Sequence, residues 1–311
     1  MLRALITGID GFAGRHLAAR LRQQGDEVAG VVRRAARRTS LAELGVDAAA
    51  VHVADITDAD AVARAVAAVR PQVCFHLAAQ AFVPAAANDP GATLRVNALG
   101  TLHVLAAVHR HAPDCRVVAV SSADAYGAVD ALPVRESAPL QPLSAYGASK
   151  AAAEVVAAQW ARNGLDVVRV RPFNHTGPGQ RPDFVCADFA RQIAAIARGA
   201  QPPRVTVGDL SPVRDFSDVR DVVDAYLAAA ARGAHGAVYN VCSGVGRSIR
   251  SILDDLIAAA GVAVDVDVTA ARLRPSEVPV LVGSAEALRA DTGWVPRVAW
   301  RQTVRDLVAA G

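Results

Sequence analysis

Tyr146 and Lys150 lie four residues apart in the run Ser144-Ala145-Tyr146-Gly147-Ala148-Ser149-Lys150, and positions i and i+4 share one face of a helix. A lysine ammonium on that face lies beside the tyrosine hydroxyl and favours its ionised form. A free phenol titrates near ~10, and each tenfold change in its acidity takes roughly 1.4 kcal/mol. Drawing a tyrosine into proton exchange near neutrality therefore takes roughly 4 kcal/mol of preferential phenolate stabilisation. Tyrosine and lysine are common on helices, so the pair alone says little. It gains force from the opening of the chain, where Thr7-Gly8-Ile9-Asp10-Gly11-Phe12-Ala13-Gly14 follows a short apolar run. Glycines here let the backbone turn tightly and approach a pyrophosphate at a helix N-terminus. Gly8, Gly11, Phe12, Ala13 and Gly14 are thus candidates to hold a dinucleotide, in a GxxGxxG spacing rather than GxGxxG.

These groups need a sheet to position them. Apolar runs predict strands over Leu2 to Thr7, Glu27 to Val32, Ala50 to Ala54, Val73 to Leu77, Cys115 to Ser121 and Asp166 to Arg171. Between them the pattern predicts helices over His16 to Gln24, Asp58 to Val69, Thr93 to His111 and Tyr146 to Asn163, with Ala78 to Pro90 as a loop. Strands alternating with helices at this spacing mean an α/β fold, a doubly wound parallel Rossmann sheet with right-handed crossovers. After Pro172 the regularity loosens. Phe184 to Arg198 and Asp218 to Arg232 read as helices, Val205 to Phe216 as a short hairpin, and Ala237 to Cys242 as a strand returning to the first sheet. The expected division is a nucleotide-binding domain over 1–172, with 218–242 returning to it. A smaller, discontinuous α/β substrate domain spans 173–217 and 243–311, packed over the carboxyl ends of the strands, where open α/β sheets bind ligands.

Selection of the 2′-hydroxyl of NAD calls for an acid at the end of the second strand. Here that strand ends Val31-Val32-Arg33-Arg34, with no acid. An arginine suits a 2′-phosphate by charge and by its forked donors, so Arg33 points to NADP(H). Asp55 and Ile56 after the third strand, and Leu77, Ala78 and Ala79 at the end of the fourth, lie where the rest of a dinucleotide would run.

Composition narrows the class. Of 311 residues, 52% are hydrophobic and 20% charged, as in a folded chain, and a net charge of +3 without a long basic run gives no footprint for nucleic acid. The four cysteines, Cys74, Cys115, Cys186 and Cys242, have no metal-ligand spacing, so neither a zinc site nor a disulfide framework is expected. His103, His109 and His111 share one helix without a carboxylate at ligand spacing, which argues against a metal. The first strand begins at the amino terminus and no stretch reads as a membrane span, so a cytoplasmic location is expected.

The glycine turn, His76-Leu77-Ala78-Ala79, Asn97, Ser122 with Tyr126-Gly127, and Tyr146-x-x-x-Lys150 together resemble the extended short-chain dehydrogenase/reductases that act on nucleotide sugars. The second half, with Arg171 to Gln180, Val213 to Asp221 and Arg274-Pro275-Ser276-Glu277-Val278-Pro279, resembles the GDP-mannose 4,6-dehydratase branch. The compact length and Phe184-Val185-x-x-Asp188-Phe189-Ala190 are most similar to its reductases, which take GDP-4-keto-6-deoxy-D-mannose to GDP-D-rhamnose with NADPH. The resemblance implies roles. Ser122 would hydrogen-bond the sugar C4 oxygen, Tyr146 would protonate it, and Lys150 would bind the nicotinamide ribose while lowering the tyrosine pKa. Asn174 would contact the ligand, Arg214 and Arg274 the diphosphate, and Glu277 the ribose or base. Asn97 has two readings, a relay and a satisfied buried amide, and His175 likewise stands between substrate contact and packing. The family forms a homodimer through a four-helix contact, and the two long helices around Tyr146 are where it would form.

Asp124, two residues after Ser122, stands where the dehydratases place a glutamate that serves their elimination chemistry. Its carboxylate is one methylene shorter, and the related reductases also carry an acid there. Asp124 is therefore a candidate for the catalytic set, alongside the reading in which it caps a turn or orients substrate hydroxyls. The rivals to the reductase are a dehydratase or epimerase on the same scaffold and a non-catalytic NADP-sensing regulator. The intact Tyr146 and Lys150 speak against the regulator.

Overall fold

The computed structural model describes residues 1–35, 39–269, 272 and 278–311. In chain order, β1 (Arg3–Thr7), α1 (Phe12–Gln23), β2 (Glu27–Val32), β3 (Val51–Val53), α2 (Ala59–Val69) and β4 (Val73–His76) come first. The short α3 (Val83–Asn88) and α4 (Pro90–Leu94) lead to α5 (Gly100–His111), β5 (Arg116–Val120), α6 (Ala145–Arg162) and β6 (Val167–Pro172). Next come β7 (Asn174–Thr176), α7 (Val185–Ala197), β8 (Arg204–Val207), β9 (Val213–Asp218), α8 (Val219–Arg232) and β10 (Val238–Val241). The chain ends with β11 (Gly246–Ser248), α9 (Ile249–Ala260), β12 (Asp265–Val268), β13 (Val280–Leu281), α10 (Glu286–Thr292) and α11 (Trp300–Ala310).

Seven strands form one parallel sheet in the order β10-β6-β5-β4-β1-β2-β3. Both of its faces are covered, which is why β1 and β4 read as unbroken apolar runs. Ile6, Phe75 and Val118 point to one side and pack with Leu17 and Leu21 of α1 and Val222 and Tyr226 of α8. Their neighbours Leu5, Cys74 and Val117 point to the other and meet Val66 of α2, Val104 and Val108 of α5 and Ala157 of α6. Leu288 of α10 and Trp294 join the first of these clusters, so the chain returns to the sheet near its end. A separate apolar cluster joins Phe189 and Ile193 of α7, Val205 of β8, Ile252 and Leu256 of α9 and Leu307 of α11.

Four sequence expectations are corrected. The Val205–Phe216 hairpin does not form: β8 pairs with β12 in parallel, while β9 is flanked by β7, β11 and β13. Asp209 accepts hydrogen bonds from the Ser211 N–H (2.9 Å) and hydroxyl (2.7 Å), and this turn sends the chain into a different sheet. The Ala78–Pro90 loop contains α3, started by Pro84 in its first turn, where a missing N–H costs nothing. α1 begins at Phe12, inside the glycine motif, rather than at His16. Finally, the helical stretch Pro90–His111 is long and apolar enough to span a membrane by length and composition alone. Its apolar residues Val104, Leu105 and Val108 are instead buried against α2 and the sheet.

Candidate active site

The glycine turn is shaped by contacts that a side chain would destroy. Gly8 has φ +71°, and a Cβ there would sit 2.9 Å from the Ala78 Cα. A Cβ on Gly14 would meet the Gly8 carbonyl oxygen at 2.4 Å. Gly11 caps α1 without a side-chain hydrogen bond, which leaves the N–H groups of the first turn available to an anion. The cradle fits a dinucleotide pyrophosphate by this geometry.

Behind the turn, buried polar groups fix Ala78. Thr7 Oγ1 lies 2.8 Å from His76 Nδ1 and accepts the Ala78 N–H at 3.2 Å. His76 Nε2 lies 3.0 Å from Thr101 Oγ1, which donates to the Asn97 carbonyl at 2.5 Å. These partners assign the proton to Nε2: Thr101 has spent its one donor on Asn97 and so accepts from the ring, which leaves Nδ1 to accept from the Thr7 hydroxyl. Burial first, and the Lys150 charge second, push the His76 pKa down to about 3, so the ring is neutral.

Ser122 opens a short 3₁₀ turn, Ala123–Ala125, and accepts the Asp124 N–H at 3.2 Å. Ser144 caps α6 by accepting the Gly147 N–H at 3.0 Å, which places Tyr146 in the first helical turn. The helix approaches the 3₁₀ turn so closely that a Cβ on Gly147 would lie 2.5 Å from the Asp124 carbonyl oxygen. This approach sets Tyr146 beside Ser122, with a hydrogen bond between the two side chains. Asn97 ties the arrangement to the glycine side. Set in a π-helical turn, it accepts the Gln80 N–H (2.8 Å) and donates to the Gln80 carbonyl (3.1 Å) and Ser149 Oγ (2.8 Å). Ser149 in turn donates to the Tyr146 carbonyl at 2.7 Å. Asn97 is thus a satisfied buried amide that braces the site.

The electrostatics reverse one expectation. Burial and the neighbouring Asp124 carboxylate raise the Tyr146 pKa above that of a free phenol, and only the Ser122 hydrogen bond acts the other way. Lys150 does not draw the phenol down, because its ammonium is turned to the Val120 carbonyl, 2.6 Å away. Burial lowers the Lys150 pKa to about 8, with Glu154 opposing the change. Tyr146 is therefore held as a neutral phenol, the form that donates a proton.

Asp124 is accessible to solvent yet walled by protein, as a side chain in a cleft is. Its pKa is raised by burial, with the Arg214 charge pulling the other way. Arg214 also donates to the Val213 (2.8 Å) and Val278 (2.7 Å) carbonyls. Ser122, Asp124, Tyr146, Lys150 and Arg214 thus come from distant segments into one cluster. Asn174 is exposed at the head of β7. Arg33, exposed at the end of β2, faces Asp55 electrostatically. Burial alone would raise the Asp55 pKa, but hydrogen bonds from Thr57 and the Arg33 charge carry it below the usual value. Ile56 is buried under Gly100. Arg274 and Glu277 lie outside the described residues.

Phe12 does more than follow a glycine. Its ring stacks on His175 (6.0 Å between centroids, 8° between planes) and meets His16 edge-on at 5.4 Å. The His16 ring lies 2.9 Å from the Pro178 carbonyl, so α1 and the 173–180 segment are held together. This places His175 in packing, with its pKa lowered by burial. Sequence reasoning missed Thr7, Thr101 and the buried Glu154–Arg171 pair; the spacing Tyr146-x-x-x-Lys150-x-x-x-Glu154 was the available signal for the last. A cavity of about 520 Å³ lined by Arg3, Arg22, Glu27, Asp47 and His52 lies at the opposite end of the sheet and touches none of the cluster.

Comparison with known proteins agrees with this geometry. The chain is 39% identical to the GDP-6-deoxy-D-mannose reductase of Pseudomonas aeruginosa, over 99% of this chain and 96% of the relative. It is 33% identical to the UDP-glucose 4-epimerase of Mycolicibacterium smegmatis, over 99% and 97% respectively. Among solved structures it is similar to RMD from Pseudomonas aeruginosa complexed with NADPH, with TM-score 0.88, 36% identity and coverage of 100% of this chain and 98% of that one. A family model described as GDP-mannose 4,6 dehydratase matches residues 5–307, and across that span the chain belongs to the GDP-mannose 4,6 dehydratase family.

Proposed function

We propose that the protein reduces the C4 keto group of GDP-4-keto-6-deoxy-D-mannose to GDP-D-rhamnose with NADPH. The observation that carries this reading is Tyr146, kept neutral and hydrogen-bonded to Ser122 within a cleft. NADPH, when bound along the glycine turn, supplies hydride to the carbonyl carbon. The chain's own part is to hold that carbonyl and to deliver the proton. Ser122 and Tyr146 grip the C4 oxygen, and Tyr146 gives up its proton as negative charge develops there. A positioned acid of this kind contributes about 10²- to 10⁴-fold to rate. Lys150, charged below about pH 8, would bind the nicotinamide ribose. Arg33 takes the 2′-phosphate of the cofactor, and Gly8, Gly11, Phe12, Ala13 and Gly14 with Ala78 and Ala79 shape its bed. Arg214, Arg274, Asn174 and Glu277 hold the GDP-sugar, whose binding energy keeps C4 in reach of the acid.

Asp124 favours a second reading, because an accessible carboxylate with a raised pKa is suited to the proton transfers of a dehydratase. The two readings separate in one experiment. Incubation with GDP-4-keto-6-deoxy-D-mannose and NADPH should yield GDP-D-rhamnose by NMR, with one NADPH oxidised per product. Incubation with GDP-mannose alone should yield no 4-keto sugar, and its formation without net cofactor oxidation would establish the dehydratase. The proposal includes a homodimer through Pro90–His111 and α6, supported by the exposed Leu94, Leu99 and Val155 on those helices.

A further inference from the structure

Lys150 is the single lysine of the chain; every other cationic side chain is arginine. Arginine carries a charge that proteins cannot remove, whereas an amine responds to its surroundings. The groups around this amine therefore decide its state. Glu154 lies one helical turn beyond Lys150, so Tyr146, Lys150 and Glu154 form one stripe along α6. Its side chain is only 2% exposed and is gripped by Arg171 of β6. Arg171 Nη2 donates to Oε1 at 2.5 Å, and Nε donates to both oxygens at 2.9 and 3.1 Å. Arg171 is itself fixed, donating from Nη1 to the Tyr126 hydroxyl (2.7 Å) and the Glu136 carbonyl (3.1 Å). Its guanidinium also lies over the Tyr126 ring at 4.7 Å.

We propose that Glu154, clamped by Arg171, is a positioning residue that holds the Lys150 amine in its charged form behind Tyr146. The other groups facing this region do not supply that charge. From β4 comes His76, which is neutral; from the end of β5, the Val120 carbonyl and Ser121; from α5, Thr101. β6 contributes Arg169 and Arg171, both turned to Glu154. Tyr146 is a neutral phenol, and Asp124 acts on Tyr146 and Arg214. Beside the Val120 carbonyl that accepts from it, Glu154 is the one charged group among them that favours the ammonium, against the burial that lowers its pKa. A fixed carboxylate on this stripe would keep the cation available through the pH range in which Tyr146 must release its proton.

The inference rests on the reductase reading for its purpose but not for its measurement. Protein grown with lysine labelled with ¹³C at Cε has one side-chain resonance, and its titration in the free enzyme reports Lys150 directly. Glu154→Gln should move the midpoint down by about 1 pH unit, and the alkaline limb of kcat/KM should move with it. Because Arg171 would then be buried without its counter-ion, Glu154→Gln/Arg171→Met provides a companion in which both charges are gone, a replacement that buried pairs often tolerate. Its urea midpoint should recover towards wild type while the lysine midpoint stays low. Glu154→Asp should bring the lysine midpoint part of the way back. A wild-type lysine midpoint in either Gln variant would overturn the proposal and leave the pair a purely structural one. A displaced lysine midpoint in a protein that reduces no 4-keto sugar would overturn the reductase reading and leave this inference standing.

Discussion

Two buried tyrosines flank the same turn, and their surroundings give them opposite fates. The Tyr126 hydroxyl accepts from Arg171 and donates to Asn240 Oδ1, each at 2.7 Å. The Asn240 amide is in turn anchored on the Val134 and Ser284 carbonyls. Burial pushes the Tyr126 pKa up to about 12, with the Arg171 charge pulling back. Its oxygen is locked between protein partners. Tyr146 is also buried and also raised, but it has Ser122 on one side and Asp124 at the accessible cleft on the other. A cation beside a tyrosine is thus not what marks the reactive one. Partner saturation is: a hydroxyl with its donor and acceptor both committed inside the protein rigidifies, and one that faces a cleft remains able to serve a substrate.

The sharpest way to break this comparison is to remove each hydroxyl in turn. Tyr146→Phe should lower kcat by about 100-fold or more while leaving NADPH affinity nearly unchanged by fluorescence titration. Turnover near wild type would mean that another group donates the proton. Lys150→Ala follows in size, with a loss of roughly tenfold or more in kcat/KM, in line with a hydrogen-bonded charge, and weaker NADPH binding as well. The sign of the wild-type pH dependence tests the same residue. Its amine is charged below about 8 and neutral above, so kcat/KM should fall as pH rises through that value, and a flat profile up to pH 10 would contradict it. Arg33→Ser lies outside both tyrosine environments and should leave chemistry alone while narrowing the preference for NADPH over NADH by about tenfold. Comparable kcat/KM for the two cofactors in the wild type would remove the role given to Arg33. The smallest kinetic effect belongs to Tyr126→Phe. It should cost about 1–3 kcal/mol of stability, read from the urea midpoint, by leaving Asn240 Oδ1 and an Arg171 donor short of a partner. Its kcat should stay within about threefold of wild type.

What the sequence determined by itself was local. Glycine spacing after an apolar run specifies a turn that a side chain would block, and the clash of a Gly14 Cβ with the Gly8 carbonyl bears this out. Continuous apolar runs specify buried parallel strands, and β2 falls on the expected Glu27–Val32 without change. The four-residue interval specifies that Tyr146 and Lys150 share a face, since that follows from helix pitch alone. Tertiary structure decided what those groups do there. The raised pKa of Tyr146 and the lowered pKa of Lys150 come first from burial, which depends on everything packed around them. Asp124 meets Arg214, and Glu154 meets Arg171, across stretches of chain whose separation carries no periodic signal. The β8–β12 pairing escaped sequence reading for the same reason, because a strand's own residues do not name the edge it joins. Spacing along a chain sets direction, whereas charge state is set by the summed field and desolvation of neighbours that only the fold brings together.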